Sequence, residues 1–194
     1  MLWGGSSCGQ IVGKDCQLAY IIPASNMNDH MRYLTLALAE AKKCTPSPTA
    51  FCVGCVLVVR LSDKPTILAT GYSRELVGNT HAEANALAKA QSLSPDQLSS
   101  LFPRSTPLSF SDIMAHTDIY TTLEPCSVRT SGLAPCANAL IAAKVKRCFI
   151  GVSEPDDFVK CEGAWKLQDA GIDVIWLEGL EAECLAVARR GHEA

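Results

Sequence analysis

Ile119-Tyr-Thr-Thr-Leu123, Pro135-Cys-Ala-Asn-Ala-Leu-Ile-Ala-Ala143 and Cys148-Phe-Ile-Gly-Val152 follow one another as an apolar strand, a helix and a second apolar strand. The pattern continues beyond them: Ala164 to Ala170 reads as a helix closed by Gly171, Val174 to Leu177 as a strand, and Glu181 to Arg189 as a final helix. From residue 117 onward the order is therefore β-α-β-α-β-α, and such an order demands parallel strands joined by right-handed crossovers. Upstream, Asn28 or Asp29 can cap a helix running to about Lys43, with Met31, Leu34, Leu38 and Ala41 on one face and Lys42 and Lys43 at its negative end. Val53 to Val59 reads as a buried strand and Thr66 to Tyr72 as its antiparallel neighbour, joined by the short Leu61–Pro65 connection. A helix from His81 to about Gln91 follows. The expected architecture is α/β: three layers, with a mixed five-stranded sheet between helices on both faces.

Residues 1–27, rich in Gly and Ser, read as a tail or wrapping segment, and 28–194 as one domain. Residues 92–117 are Ser- and Pro-rich, which suggests an insertion into that domain. The chain has 194 residues, 48% hydrophobic and 19% charged, enough to build a full core. A net charge of −3 with 6% aromatics gives no basic, aromatic-lined footprint for nucleic acid. The longest apolar stretch, Val53 to Val59, falls far short of a membrane span, and the N-terminus shows no secretory pattern. Ten cysteines in a chain of this kind point to an intracellular, reducing compartment, cytoplasmic or also nuclear, with thiols free, buried or bound to metal.

The chemistry concentrates in Asn79-Thr-His81-Ala-Glu83 and in Leu123-Glu-Pro125-Cys126, with a second Pro-Cys pair at Pro135-Cys136. His-x-Glu followed by Pro-Cys and a further Cys is the signature of zinc-dependent nucleobase deaminases. One imidazole (His81) and two thiolates (Cys126 and Cys136) leave a fourth position of Zn²⁺ open for an activated water. Glu83 can then carry protons between that water and a leaving amine. Each piece has a plainer reading. Thr80-His-Ala-Glu83 is also a capping box, and either cysteine alone is a core thiol. Cys52-Val-Gly-Cys55 competes as a metal knuckle, and the ten-residue step from Cys126 to Cys136 is longer than the usual signature.

The chain also resembles the deaminases of riboflavin biosynthesis, within the cytidine deaminase-like superfamily. The resemblance spans roughly residues 29–177. It rests on Cys-Val-Gly-Cys-Val in the first strand, His81-Ala-Glu83, Thr-Leu-Glu-Pro-Cys126, the long Cys–Cys loop, Pro-Cys-Ala-Asn-Ala-Leu-Ile-Ala-Ala-Lys-Val145, Glu154-Pro-Asp156 and Ala-Gly-Ile-Asp-Val174. It implies hydrolytic deamination of an aminopyrimidine ribityl phosphate, with zinc on His81, Cys126 and Cys136, Glu83 as proton carrier, and a homodimer. It departs from the bacterial pattern at Ala50-Phe51, Ser73 and Val128. Arg129 in the Cys–Cys loop is the expected phosphate contact, and Asn79, Ser73 and Arg74 are further substrate candidates. Rival readings are a deoxycytidylate-type nucleotide deaminase, a tRNA or single-stranded nucleic acid deaminase, and an inactive zinc-stabilised binding module.

Overall fold

A computed structural model of the chain describes residues 24–103, 108–129, 132–155 and 161–192. The 1–23 portion of the expected tail lies outside them. Residues 24–27 instead open the first helix, α1 (Ala24–Lys43). Asp29 does not cap that helix, because its carboxylate accepts two hydrogen bonds from the Arg60 guanidinium at 3.1 and 3.2 Å.

The sheet is five-stranded and mixed. Strand β1 (Gly54–Val59) pairs antiparallel with β2 (Thr66–Tyr72) on one side and with β3 (Thr117–Thr121) on the other. Strands β4 (Arg147–Ile150) and β5 (Asp173–Trp176) extend it in parallel, giving the order β2-β1-β3-β4-β5. The parallel part is built as the strand-helix-strand alternation requires, with α5 (Cys136–Ala143) and α6 (Gly163–Asp169) as crossovers. Each side chain of β1 is buried, and alternation sends them to two cores. Cys55, Leu57 and Val59 face α2 (Ala82–Gln91), α5 and α6, whereas Val56 and Val58 face α1. The last helix, α7 (Glu181–Ala188), packs beside α1, with Cys184 and Val187 buried against Leu38 and Ala41. Helices on both faces complete the three expected layers. Among the described residues no helix is long and apolar enough to cross a membrane.

The Ser- and Pro-rich stretch differs from the expectation. It forms α3 (Pro95–Leu101) and α4 (Phe110–Met114), each started by a capping box, Ser94 with Gln97 and Ser109 with Asp112. Ile113 and Met114 are fully buried in the core between sheet and α2. The segment is thus partly a core element: two strong caps and two apolar residues suffice to dock it.

At the start of β3 a polar network is closed on itself. Asp118, fully buried, accepts hydrogen bonds from both Arg60 and Arg147, and Tyr120 OH joins Arg60 to His30 Nδ1. Two arginines against Asp118 and Asp29 leave the charges matched, as burial requires. His30 stacks on Phe149, and burial pushes its pKa down to about 4.

Candidate metal centre

The opposite ends of β3 and β4, where their chains leave the sheet, carry a second polar region that is convergent instead of closed. Parallel sheets leave such a crevice beyond their carboxyl ends. His81 stands at the N-cap of α2 with an extended backbone (φ −98°, ψ 155°), so its ring is outside the helix proper. Thr80 does not cap α2. Its hydroxyl donates to Leu76 O and accepts from Asn85 Nδ2, which frees Glu83 from any capping box. Gly71 sets the depth of this helix, since a Cβ there would lie 2.3 Å from Ala82 O.

Cys126 ends the segment leaving β3. Glu124 within it accepts a hydrogen bond from Ala164 N at 2.8 Å, at the start of α6. Gly163 lets that helix approach closely, for a Cβ there would fall 1.6 Å from Pro125 O. Cys136 is the first residue of α5, with Pro135 at the cap, and its backbone N–H donates to Cys126 Sγ at 3.3 Å. A helix N-terminus favours a thiolate for this reason. His81 Nδ1 lies 3.5 Å from both sulfurs, and the three ligand atoms fall within 4.8 Å of one another.

These donors fit zinc. With Zn–S near 2.3 Å and Zn–N near 2.0–2.1 Å, tetrahedral angles hold nitrogen and sulfur about 3.5 Å apart. The Cys136 thiol, and then the His81 ring, hold Cys126 far below the ordinary thiol range against the opposing effect of burial. Cys136, bonded to that thiolate and buried, is pushed up. One thiolate therefore stands ready and the second proton leaves as metal binds. Glu83 is 3% exposed, and burial, then the nearby Cys126 thiolate, raises its pKa. Thr121 Oγ1 donates to its Oε1 at 3.1 Å.

Arg129 reaches this region: its Nη2 donates to Asn79 O at 2.6 Å, joining the Cys–Cys loop to the residue two before His81. Its Nε is buried without a partner. The Asn79 side chain is exposed, and its contact with the loop is made by the backbone. Thr130 and Asp156 lie outside the described residues.

The Arg74 backbone N–H donates to Thr80 O, beside His81, but the side chains of Ser73 and Arg74 bond back to other segments. The Ser73 hydroxyl accepts from Val53 N, and Arg74 donates to Phe51 O, Thr45 O, Cys44 Sγ and Cys52 Sγ. The Ser73 hydroxyl and both terminal nitrogens of Arg74 are committed to the chain itself, while Arg74 Nε is buried without a partner. The proposed knuckle also fails to close. Cys55 points into the α2-side core, whereas Cys52 lies with Cys44 on the α1 side. Burial and a hydrogen bond with Cys52 push the Cys44 thiol up to about 12.

Two residues near the cluster carry weak sequence signals. Thr121 reads simply as a strand residue. Glu154 shows only as part of Glu154-Pro-Asp156, yet its Oε2 is buried without a partner and burial raises its pKa to about 7. Cavities of about 250 Å³ between α3 and α4, and of about 430 Å³ over α2 and α5, are lined by other residues and hold none of this cluster.

A family model described as the cytidine and deoxycytidylate deaminase zinc-binding region matches residues 27–152. The chain is 39% identical over 178 residues to a diaminohydroxyphosphoribosylamino-pyrimidine deaminase of Schizosaccharomyces pombe, covering 88% of this chain and 39% of that protein. It is 33% identical over 160 residues to a riboflavin biosynthesis protein RibD of Actinobacillus pleuropneumoniae, covering 80% of this chain and 34% of the relative. The chain thus spans well under half of either protein. Among solved structures, the Aspergillus oryzae Rib2 deaminase at pH 4.6 superposes with a TM-score of 0.68 at 37% identity, covering 84% of this chain and 92% of that one. The same deaminase in complex with DARIPP gives a TM-score of 0.66 at 36% identity, with the same coverage.

Proposed function

The chain belongs to the zinc-binding cytidine and deoxycytidylate deaminase family, and from that premise we propose that it hydrolytically deaminates an aminopyrimidine ribityl phosphate of riboflavin biosynthesis. One observation carries the reading: a buried carboxylate, Glu83, freed from capping, sits beside three converging metal donors. A structural zinc site prefers four protein ligands and has no use for such a carboxylate. The relatives named above supply the substrate class, since a deaminase that superposes on this chain was solved with DARIPP.

In this reading His81, Cys126 and Cys136 hold the zinc. When bound, the metal supplies Lewis acidity and lowers the pKa of water at its open position toward neutrality. Glu83 takes a proton from the attacking water and passes it to the ring nitrogen, then moves the second proton from the added hydroxyl to the departing amino nitrogen, so that ammonia leaves and a ring carbonyl remains. Burial, then the nearby Cys126 thiolate, raises the pKa of that carboxyl above the ordinary carboxylate range, which favours its holding a proton in transit. Arg129 binds the phosphate. Its backbone is tethered between two ligands, its Nε has no partner, and guanidinium suits bidentate phosphate binding. Asn79 contributes its exposed side chain at the pocket mouth.

The metal ligands must be kept as thiols, which a reducing intracellular compartment does. The homodimer implied by the resemblance belongs to the same proposal and is checked by the sedimentation mass of the zinc-loaded protein. The decisive experiment is ammonia release from diamino-ribitylamino-pyrimidinone phosphate compared with deoxycytidylate. Turnover of the first and not the second is expected; the reverse preference would replace this reading with a nucleotide deaminase.

A further inference from the structure

Glu83 needs one fixed orientation to serve both water and leaving group, and the described contacts show what supplies it. We propose that Thr121 is a positioning residue whose hydroxyl holds the Glu83 carboxylate in one orientation. This role rests on the reading of Glu83 as proton carrier.

Alternation along β3 sends Ile119 and Thr121 to the α2 side and Tyr120 to the α1 side. In register Thr121 faces Cys55 on one neighbour and Ile150 on the other, both fully buried in the α2-side core. A hydroxyl in that layer, itself fully buried, is costly unless it is hydrogen-bonded, and valine would fill the same shape without that requirement. The Thr121 hydroxyl has two partners. It reaches Glu83 Oε1 at 3.1 Å and Leu123 O at 3.0 Å. Leu123 lies three residues before Cys126, and the single hydroxyl proton serves either its carbonyl or Glu83 at one time.

A hydroxyl has one proton to donate and two lone pairs with which to accept. Beside a carboxylate, Thr121 donates to Glu83. That donated hydrogen bond, from a fully buried strand residue, fixes the rotamer in which the carboxylate faces the converging donors.

The test uses the zinc-loaded full chain with Thr121→Val, which keeps the shape, and Thr121→Ser, which keeps the hydroxyl. For Thr121→Val we expect kcat for the ribityl phosphate to fall about 10- to 100-fold, the scale of a small misplacement of a catalytic group. KM and zinc content should stay within about twofold, and Thr121→Ser should recover kcat to within about threefold of wild type. Wild-type kcat in the valine variant, or equal losses in both variants, would overturn the proposal. A wild type that releases no ammonia from this compound would instead refute the functional reading. Crystal structures of both variants decide the positioning role independently of activity. A displaced or split Glu83 carboxylate in Thr121→Val, restored in Thr121→Ser, supports it, and a wild-type rotamer in the valine variant rejects it.

Discussion

Among the described residues, the buried thiol pairs Cys126–Cys136 and Cys44–Cys52 are alike in residue type only. Cys126 and Cys136 meet at the start of α5 with an imidazole 3.5 Å from each sulfur and Glu83 alongside. Cys44 and Cys52 meet behind α1, where their neighbours are the carbonyls of Ser73 and Thr45 and the guanidinium of Arg74. The Cys136 thiol and then the His81 ring hold Cys126 far below the usual range, whereas burial and a hydrogen bond with Cys52 raise Cys44. Burial alone therefore does not mark a reactive cysteine; the partners at its sulfur do.

The largest effect should come from exchanging a sulfur in each pair. Cys126→Ser is expected to lower zinc from about one per chain to near none and to abolish ammonia release, because three-ligand sites lose their metal with a ligand. Cys52→Ser should keep its zinc. Equal metal loss in the two variants, by elemental analysis, would erase the distinction between the pairs. Next is Glu83→Gln, which sharpens the comparison by leaving the Cys126 pair complete. It should lower kcat by about 10³-fold, within the range for a lost general acid-base, at unchanged zinc content and melting temperature. A parallel loss of stability would mean that Glu83 is structural.

The arginines divide in the same way. Arg129→Ala should raise KM roughly tenfold for the phosphorylated substrate and leave a dephosphorylated analogue unaffected. Arg74→Ala should change neither KM and should show only as a lower melting temperature. The smallest effect is expected for Cys44→Ala, about 1–2 kcal/mol of stability by chemical denaturation with activity retained. A loss of turnover there would place the α1-side pair in the function after all.

How much of this was legible in the sequence follows from how local each cause is. His81, Cys126 and Cys136 could be read as candidate ligands because His-x-Glu and the two Pro-Cys pairs are short local motifs, although only Cys136 opens a helix behind its proline. The β-α-β order after residue 117 was equally local, and it fixed the parallel half of the sheet. The Cys44–Cys52 association could not be read. It joins the end of α1 to the entrance of β1 across two prolines, and C-x-x-C spacing drew attention to Cys55 instead. The start of α1 was misplaced because Asp29, a plausible cap by residue type, is claimed by Arg60 from another element. Core packing by Ile113 and Met114 was hidden by the Ser/Pro-rich composition around them. Thr121 reads as a strand residue until Glu83 is placed beside it.

Gly163 has a consequence for biogenesis. Pro125, the residue before a metal ligand, is seated against the first turn of α6, and neighbouring contacts reinforce the seat: Ala164 N to Glu124, Glu162 N to Ser127 Oγ and Lys166 Nζ to Ser127 O. These contacts reach across 35 to 40 residues of chain. During synthesis, His81, Glu83 and both cysteines leave the ribosome well before the turn that supports them, and chain growth runs at about 5–20 residues per second. At that rate the 30 residues from Cys136 to Lys166 take about 1.5–6 seconds, an interval in which the nascent chain carries its ligands without the backing of α6.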